Sequence, residues 1–370
     1  MLKIIDRYIG RQVVFSTLFA VMVLTVVLVL GNVVQLINDL IKSQIPIGAI
    51  LKSIAYLMPF SLAFTIPWGL LTAILLVFGR LSADNELIAL RMAGQSIPRI
   101  CVPVFIIAGA LSAACLWINA TVAPRAEAAI KSTLFKAALD DPLKLFVADQ
   151  VTETIPGYKI YVATKEGNEL YGFRMVQTEG IRAQKLILAD KVTVDRSPDG
   201  SEIQLVMENA QFLTTIQESD DPNVPAVKQL LPPVEETTQV ISLAELIKKS
   251  TRRRPSQMST KDLIAASKDE SEEADDRSGF RVEAQKRFSF SMACITFALI
   301  GVPLGITAQR RETSSGFVIS LGVAAVYFMM IIMVDWFKQD PDAYPHLLIW
   351  LPNLIFLTIG GRLFYKLSRR

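Results

Sequence analysis

One histidine and three cysteines carry most of the nucleophilic and metal-binding capacity of this sequence. Cys101, Cys115 and Cys294 each lie inside an apolar run, and no two stand at a metal-ligand spacing. They read as small core or lipid-facing residues. His346 has no companion histidine, so a zinc site or a Ser-His-Asp triad lacks its parts. No G-x-x-x-x-G-K-[ST] loop is present to cradle the phosphates of ATP, and neither H-E-x-x-H nor G-x-S-x-G occurs. The expectation is a chain with no catalytic residue, no metal site and no cofactor of its own. What remains open to it is binding and docking.

The stretch best suited to docking is Gly79 to Ser96, which reads as an amphipathic helix within residues 79–97. Ser82 is placed to cap its N-terminus. Asp84 and Glu86 put negative charge in the first turn and Arg91 puts positive charge near the last, as the helix dipole favours. Gly94 is expected just past the end, and Pro98 stops the pattern. Leu87, Leu90 and Gly94 share one stripe, with Ile88 and Met92 beside it. Such a helix is either a docking peg for a soluble partner or an anchor on a membrane surface.

The elements around it point to a membrane. The chain is 51% hydrophobic and 20% charged, too apolar for an ordinary soluble protein of its length. Residues 12–38, 53–79, 100–124, 288–309, 313–334 and 343–361 contain no Asp, Glu, Lys or Arg. A spanning helix needs about 20 apolar residues, so these runs predict six spans grouped three and three. The first run is longer than the apolar core of a signal peptide and no A-x-A-like site follows it, so it reads as a retained span. Pro59 and Pro67 predict a kinked or tilted second span. No Asp, Glu, Lys, Arg or His lies mid-span, which makes proton-coupled transport a weaker reading and implies an apolar interior suited to acyl chains.

Basic residues set the expected orientation. Lys3, Arg7, Arg11, Arg80, Arg91, Arg99, Arg310, Arg311, Arg362, Lys366, Arg369 and Arg370 all fall on one side of a six-span topology. The short loops of the other side hold Lys42, Lys52 and Lys338. Both termini and the 79–97 helix are therefore expected in the cytoplasm, and the long insert on the outer face.

That insert divides by composition. Ala126 to Leu139 looks helical and continues the third span outward. Residues 159–163, 170–176, 180–189, 191–195, 202–206, 211–216 and 239–243 read as short strands, with Ser197-Pro198-Asp199-Gly200 as a hairpin turn. Residues 217–235 read as a loop rich in Pro and acid. Ser259-Thr260-Lys261-Asp262 resembles a capping box, and 269–287 reads as a helix leading into the fourth span. The fold class is thus an α-helical integral membrane protein with six transmembrane helices (3+3) and an inserted all-β, jellyroll-like domain. The expected divisions are 1–124, 125–258, a polar helical connector at 259–287, and 288–370.

Ile5-Asp6-Arg7-Tyr8-Ile9 before the first span, Ser82 to Ser96 after the second, Gly301-Val302-Pro303-Leu304-Gly305 in the fourth and Trp350-Leu351-Pro352-Asn353-Leu354 in the sixth together resemble the LptF/LptG family, the permease subunits of the lipopolysaccharide export ABC transporter. Ile5-Asp6-Arg7-Tyr8-Ile9 is similar to the family's start, and Ser82 to Ser96 to its cytoplasmic coupling helix. Glu283 and Arg287, followed by Gly301-Val302-Pro303-Leu304-Gly305, resemble the fourth span. Trp350-Leu351-Pro352-Asn353-Leu354 resembles the sixth. The N-terminus is more like the G type, and the Pro-Asn-Leu-Ile of the sixth span more like the F type.

The resemblance implies a non-catalytic subunit in the bacterial inner membrane, with its β domain in the periplasm. Its partners would be a second homologous permease, a cytoplasmic ATPase dimer that binds ATP and Mg, and a periplasmic jellyroll bridge protein. The substrate would be lipopolysaccharide, and no nucleic acid is implied. Asp84, Glu86, Leu87, Leu90, Arg91 and Gly94 would couple to the ATPase. Lys42, Lys286 and Arg287 lie at the outer mouth of the spans, where they would meet lipid phosphates or ordinary headgroups. Val14, Leu18, Met22 and Thr25 on the first span, with Phe317, Leu321 and Tyr327 on the fifth, would line a lipid cavity; packing or lipid contact would use the same stripe. The competing reading is a membrane-anchored receptor or scaffold whose outer β domain binds a ligand. A lipid-modifying enzyme lacks plausible catalytic groups.

Overall fold

A computed structural model describes residues 4–42, 47–130, 146, 148–152, 158–179, 183–196, 202–216, 227–242, 255–269, 274–307, 313–338 and 340–369. Six helices are long and apolar enough to cross a membrane: Ile4–Val33, Ile54–Ala83, Ile97–Ile130, Ala274–Thr307, Gly316–Asp335 and Pro345–Arg369. Each contains one of the charge-free runs, or most of it, three before the insert and three after. The chain forms two compact units, one of Met1–Asn32, Ala55–Ala128 and Arg254–Arg370, the other of Val33–Ile54 and Ala129–Arg253.

The helices are α1 (Ile4–Lys42), α2 (Ile47–Ala83), α3 (Glu86–Met92), α4 (Ile97–Trp117), α5 (Thr260–Ala266), α6 (Ala274–Thr307), α7 (Thr313–Asp335), α8 (Pro345–Leu348) and α9 (Leu351–Arg369). A π-helical turn, Ile118–Val122, follows α4, and the helix is described to Ile130; the rest of the expected extension, 131–139, lies outside the described residues. Ser259 caps α5 as expected, its hydroxyl accepting the N–H of Asp262 at 3.2 Å. α6 runs unbroken from the polar approach into the fourth span.

In the helical unit, the spans on α2 and α6 are mostly buried, while about a third or less of each of the other four is buried. Helices in lipid gain little from apolar contact alone, so small residues and interhelical hydrogen bonds decide which pairs come close. Gly301 and Gly305 of α6 press against Leu71, Ile74, Leu75 and Phe78 of α2. A Cβ at Gly360 of α9 would stand 3.0 Å from the backbone nitrogen of Ile300. α2 remains one helix through Pro59 and Pro67. Pro67 cannot donate to the carbonyl four residues back; the Cys115 thiol of α4 donates to that carbonyl, Ala63 O, at 3.5 Å.

The second unit holds an antiparallel sheet. Its strands are β1 (Gln150–Thr152), β2 (Tyr158–Val162), β3 (Thr164–Glu166), β4 (Glu169–Glu179), β5 (Ala183–Arg196), β6 (Glu202–Ile216), β7 (Val227–Leu230) and β8 (Val234–Ser242). They are ordered β1-β2-β4-β5-β6-β7, with β3 also on β4 and β8 also on β6. One core fills it, including Phe146, Ile160, Phe173, Met175, Ile187, Val192, Leu205 and Met207.

Two expected strand pairs are single strands. Residues 180–189 and 191–195 fall in β5, described from Ala183, and 202–206 and 211–216 in β6. The expected loop at 217–235 contains β7 and the start of β8. A crease across the sheet explains the first difference. Gly172 of β4 has φ +63° and Asn209 of β6 has φ +53°. Asn209 donates to Asp190 of β5 at 3.2 Å. On the other side, Ala163 interrupts β2 and β3 where they pass Gly172. The register is unchanged across this row, but the buried face changes parity. Ile187 and Ala189 are buried before it in β5, Val192 and Val194 after it. Alternation therefore breaks in the middle of a continuous strand.

Candidate functional site

The turn between the second and third spans differs from the expected single helix. α2 continues to Ala83, so Ser82 belongs to its last turn. The Ser82 hydroxyl donates to Ile306 O at 3.0 Å and caps nothing. α3 starts at Glu86 behind Asn85, whose φ of 57° is left-handed. Its end is as expected: Gly94 has φ +79°. Gly94 N donates to Arg91 O at 2.9 Å and Gln95 N to Leu90 O at 3.1 Å, a Schellman closure that satisfies two terminal carbonyls.

The orientation of α3 corrects the expected docking stripe. Leu87 is 4% exposed, and Leu90 packs with it in the cluster that includes Ile9, Val13, Phe78, Leu81 and Ile97. These two leucines hold α3 to its own bundle. The face turned outward carries Ile88 at 52% and Met92 at 84% exposed, one turn apart at i and i+4. Asp84, Arg91 and Gly94 are exposed around it. Glu86 accepts a hydrogen bond from Tyr8 of α1 at 2.9 Å. Beside it, Arg99 of α4 grips Asp6 of α1 through two hydrogen bonds of 2.8 and 2.7 Å. Asp6 is 5% exposed. The sequence signal for this pair is a lone acid in the first turn before a span.

The proposed phosphate-binding cations are not a free cluster. Arg287 is buried, donating to Thr260 Oγ1 at 3.1 Å and Ser256 O at 3.0 Å, with Glu283 at 3.8 Å. It ties α6 to the segment leading into α5. Lys286 makes a 2.6 Å ion pair with Asp335 of α7. The side chain of Lys42 lies outside the described residues.

The cavity-lining residues separate in the same way. Val14, Leu18 and Met22 of α1 and Phe317 and Leu321 of α7 are exposed. Thr25 is buried and bonded to Thr65 at 2.8 Å. Tyr327 is fully buried among Phe290, Phe297 and Phe356, and its hydroxyl reaches Asn353 Oδ1 at 3.3 Å, so it is core and lines no open surface. Asn353 itself, inside the sixth-span motif, is a hub that also bonds Ser289 and Thr296. The three cysteines are buried free thiols. Among the described residues, no group of three or more His, Cys, Asp or Glu could hold a metal ion.

Six apolar spans, three before and three after an antiparallel sheet in sequence, with a short helix between the second and third, define a multi-pass membrane protein with a soluble β domain. A family model described as "Lipopolysaccharide export system permease LptF/LptG" matches residues 7–366, and the chain belongs to that family. It is a transmembrane permease of the lipopolysaccharide export system. No curated protein sequence matches the chain.

Proposed function

We propose that this permease is one half of a heterodimer that takes lipopolysaccharide from the outer leaflet of the inner membrane and passes it to a periplasmic jellyroll bridge. ATP and Mg are bound by a separate cytoplasmic ATPase dimer. Both termini and α3 lie in the cytoplasm, as the distribution of Lys and Arg supports. The β domain, taken as 125–258, lies in the periplasm. The exposed faces of α1 and α7 meet the second permease and the acyl chains between them; Val14, Leu18, Met22, Phe317 and Leu321 supply that apolar surface.

The observation that carries this reading is the outward face of α3. Ile88 and Met92 are too exposed to serve this chain's own core, and a helix seats itself in a groove by such spaced apolar anchors. Glu86, Asp84 and Arg91 form its charged rim, and Gly94 sets its end.

The test is co-purification from membranes that hold all candidate subunits. Wild type is expected to bring down a soluble Walker-motif ATPase and a second six-span permease. Ile88→Glu and Met92→Glu are expected to lose the ATPase while remaining inserted. Association of no ATPase with wild type would favour the receptor or scaffold reading. Normal association of both variants would make α3 a lipid-surface anchor.

A further inference from the structure

We infer that Tyr8, Asp6 and Arg99 form a clamp that transmits movement of α3 to the first span, and so positions the lipid-facing stripe of that span. The inference rests on the proposed docking of an ATPase on α3.

Three observations place the clamp. First, α3 is bounded by left-handed residues on both sides, Asn85 at φ 57° and Gly94 at φ 79°. The seven-residue helix lies between these two turns, with Leu87 and Leu90 packed into the bundle. Second, two polar links run from this region to the start of α1, one from α3 and one from α4. Glu86 is bonded to Tyr8 at 2.9 Å, and Leu87 shares a buried cluster with Ile9 and Val13. Asp6 is held in a two-bond grip by Arg99, in the first turn of the helix that follows α3. An ion pair with this fork geometry fixes direction as well as distance. Third, only a third of the apolar window of α1 is buried, and Val14 and Leu18 on it are exposed.

The first span also has a point of contact about which it can tilt. Val21 packs against Gly69 of α2, where a Cβ would stand 3.0 Å from the Val21 backbone nitrogen. Val21 lies roughly 22 Å along the helix from Asp6 at the α-helical rise. Displacement of the clamped end therefore swings Val14 and Leu18 with it about that contact. Packed helices move in this way as rigid rods that slide or tilt by small steps.

The experiment uses the full chain with the ATPase and second permease that co-purify with it, reconstituted in proteoliposomes containing lipopolysaccharide. Wild type, Tyr8→Phe and Asp6→Asn are compared for ATPase association, ATP hydrolysis and lipid released per ATP consumed. The expected result is retained association and hydrolysis, with release per ATP lowered at least about fivefold, the low end of usual coupling between sites. A merely structural role would lower protein yield and hydrolysis together and leave the ratio alone. Tyr8 sits at an exposed rim and its substitution removes one hydroxyl, so Tyr8→Phe decides the matter if Asp6→Asn lowers the amount of inserted protein. An unchanged ratio in Tyr8→Phe, beside an active wild type, overturns the clamp and leaves the transporter reading intact. Absence of ATP-driven release from wild type overturns both.

Discussion

Asn353 of α9 donates to Ser289 of α6 twice, to its carbonyl and to its hydroxyl, each at 2.8 Å. The Ser289 hydroxyl passes its own proton on to Ile349 O at 2.7 Å. The Asn353 side-chain oxygen accepts from Thr296 at 3.0 Å and from Tyr327 of α7 at 3.3 Å. One amide thus links α9 to two other helices through buried groups. Asn353→Leu keeps the volume and strands these partners. It is expected to destabilise the helical unit by about 2 kcal/mol, since each interhelical bond in a membrane is modest but a stranded buried group is costly. Unfolding of the purified chain by a denaturing detergent would measure it, and an unchanged midpoint would contradict the hub.

The crease in the sheet makes a sharper contrast between two glycines. Gly172 has φ +63° and its Cβ position lies 2.8 Å from the Ala163 Cβ. Gly167 has φ +58° with open space around it. Gly167→Ala is expected to cost about 1 kcal/mol, from the left-handed backbone alone. Gly172→Ala adds the collision and is expected to cost about 2–3 kcal/mol. Thermal unfolding followed by the sheet signal in circular dichroism would compare the two; equal losses would mean that the crease tolerates a side chain.

The spans were readable because a run without charge of sufficient length has one stable place. The length of β5 and β6 was not, because the crease reverses the inward parity at Asp190 and Asn209, and alternation is the signal by which a strand is recognised. Each strand therefore looks like two in the sequence. α3 was readable as a helix with a glycine stop, but both of its apolar stripes fit the pattern. Which one faces inward is decided by the bundle it packs on, which includes Ile9 and Val13, far away in sequence. Arg287 is a similar case. A cation at the end of a span looks available until the carbonyls of Pro255 and Ser256 are seen to occupy it.

The charged row beyond the crease gives a pH dependence. Lys191 bridges Glu169 at 2.8 Å and Glu208 at 3.5 Å, and Tyr171 donates to Glu169 at 2.6 Å. The hydrogen bond from Lys191 holds the Glu169 carboxyl below its ordinary value, helped by Tyr171. The bond to Glu169 lifts Lys191 above its own. A depressed carboxyl contributes stability above its unfolded value, and that contribution goes as pH falls through the folded value. The raised lysine contributes below its unfolded value and loses this as pH rises through the folded one. The row is therefore fully formed between the ordinary carboxylate and lysine ranges. Glu169→Gln is expected to flatten the acid side of the sheet's unfolding profile relative to wild type. Parallel acid limbs would show that the row adds nothing measurable at the surface.

Arg287 and Lys286 are adjacent in sequence but should respond differently to loss of charge. Arg287 is 5% exposed and holds the start of the 255–269 segment through Pro255, Ser256 and Thr260. Arg287→Met is expected to cost about 2 kcal/mol, the usual scale for hydrogen bonds to a charged group, and to loosen that segment. Lys286 is partly exposed and pairs with Asp335 on another helix. Such half-exposed pairs contribute at most about 1 kcal/mol, so Lys286→Met should leave the segment closed. Limited proteolysis of the reconstituted chain separates them: cleavage within 255–269 should rise in Arg287→Met and stay at the wild-type rate in Lys286→Met. Equal cleavage in both variants would mean that the segment is held by contacts other than the buried guanidinium.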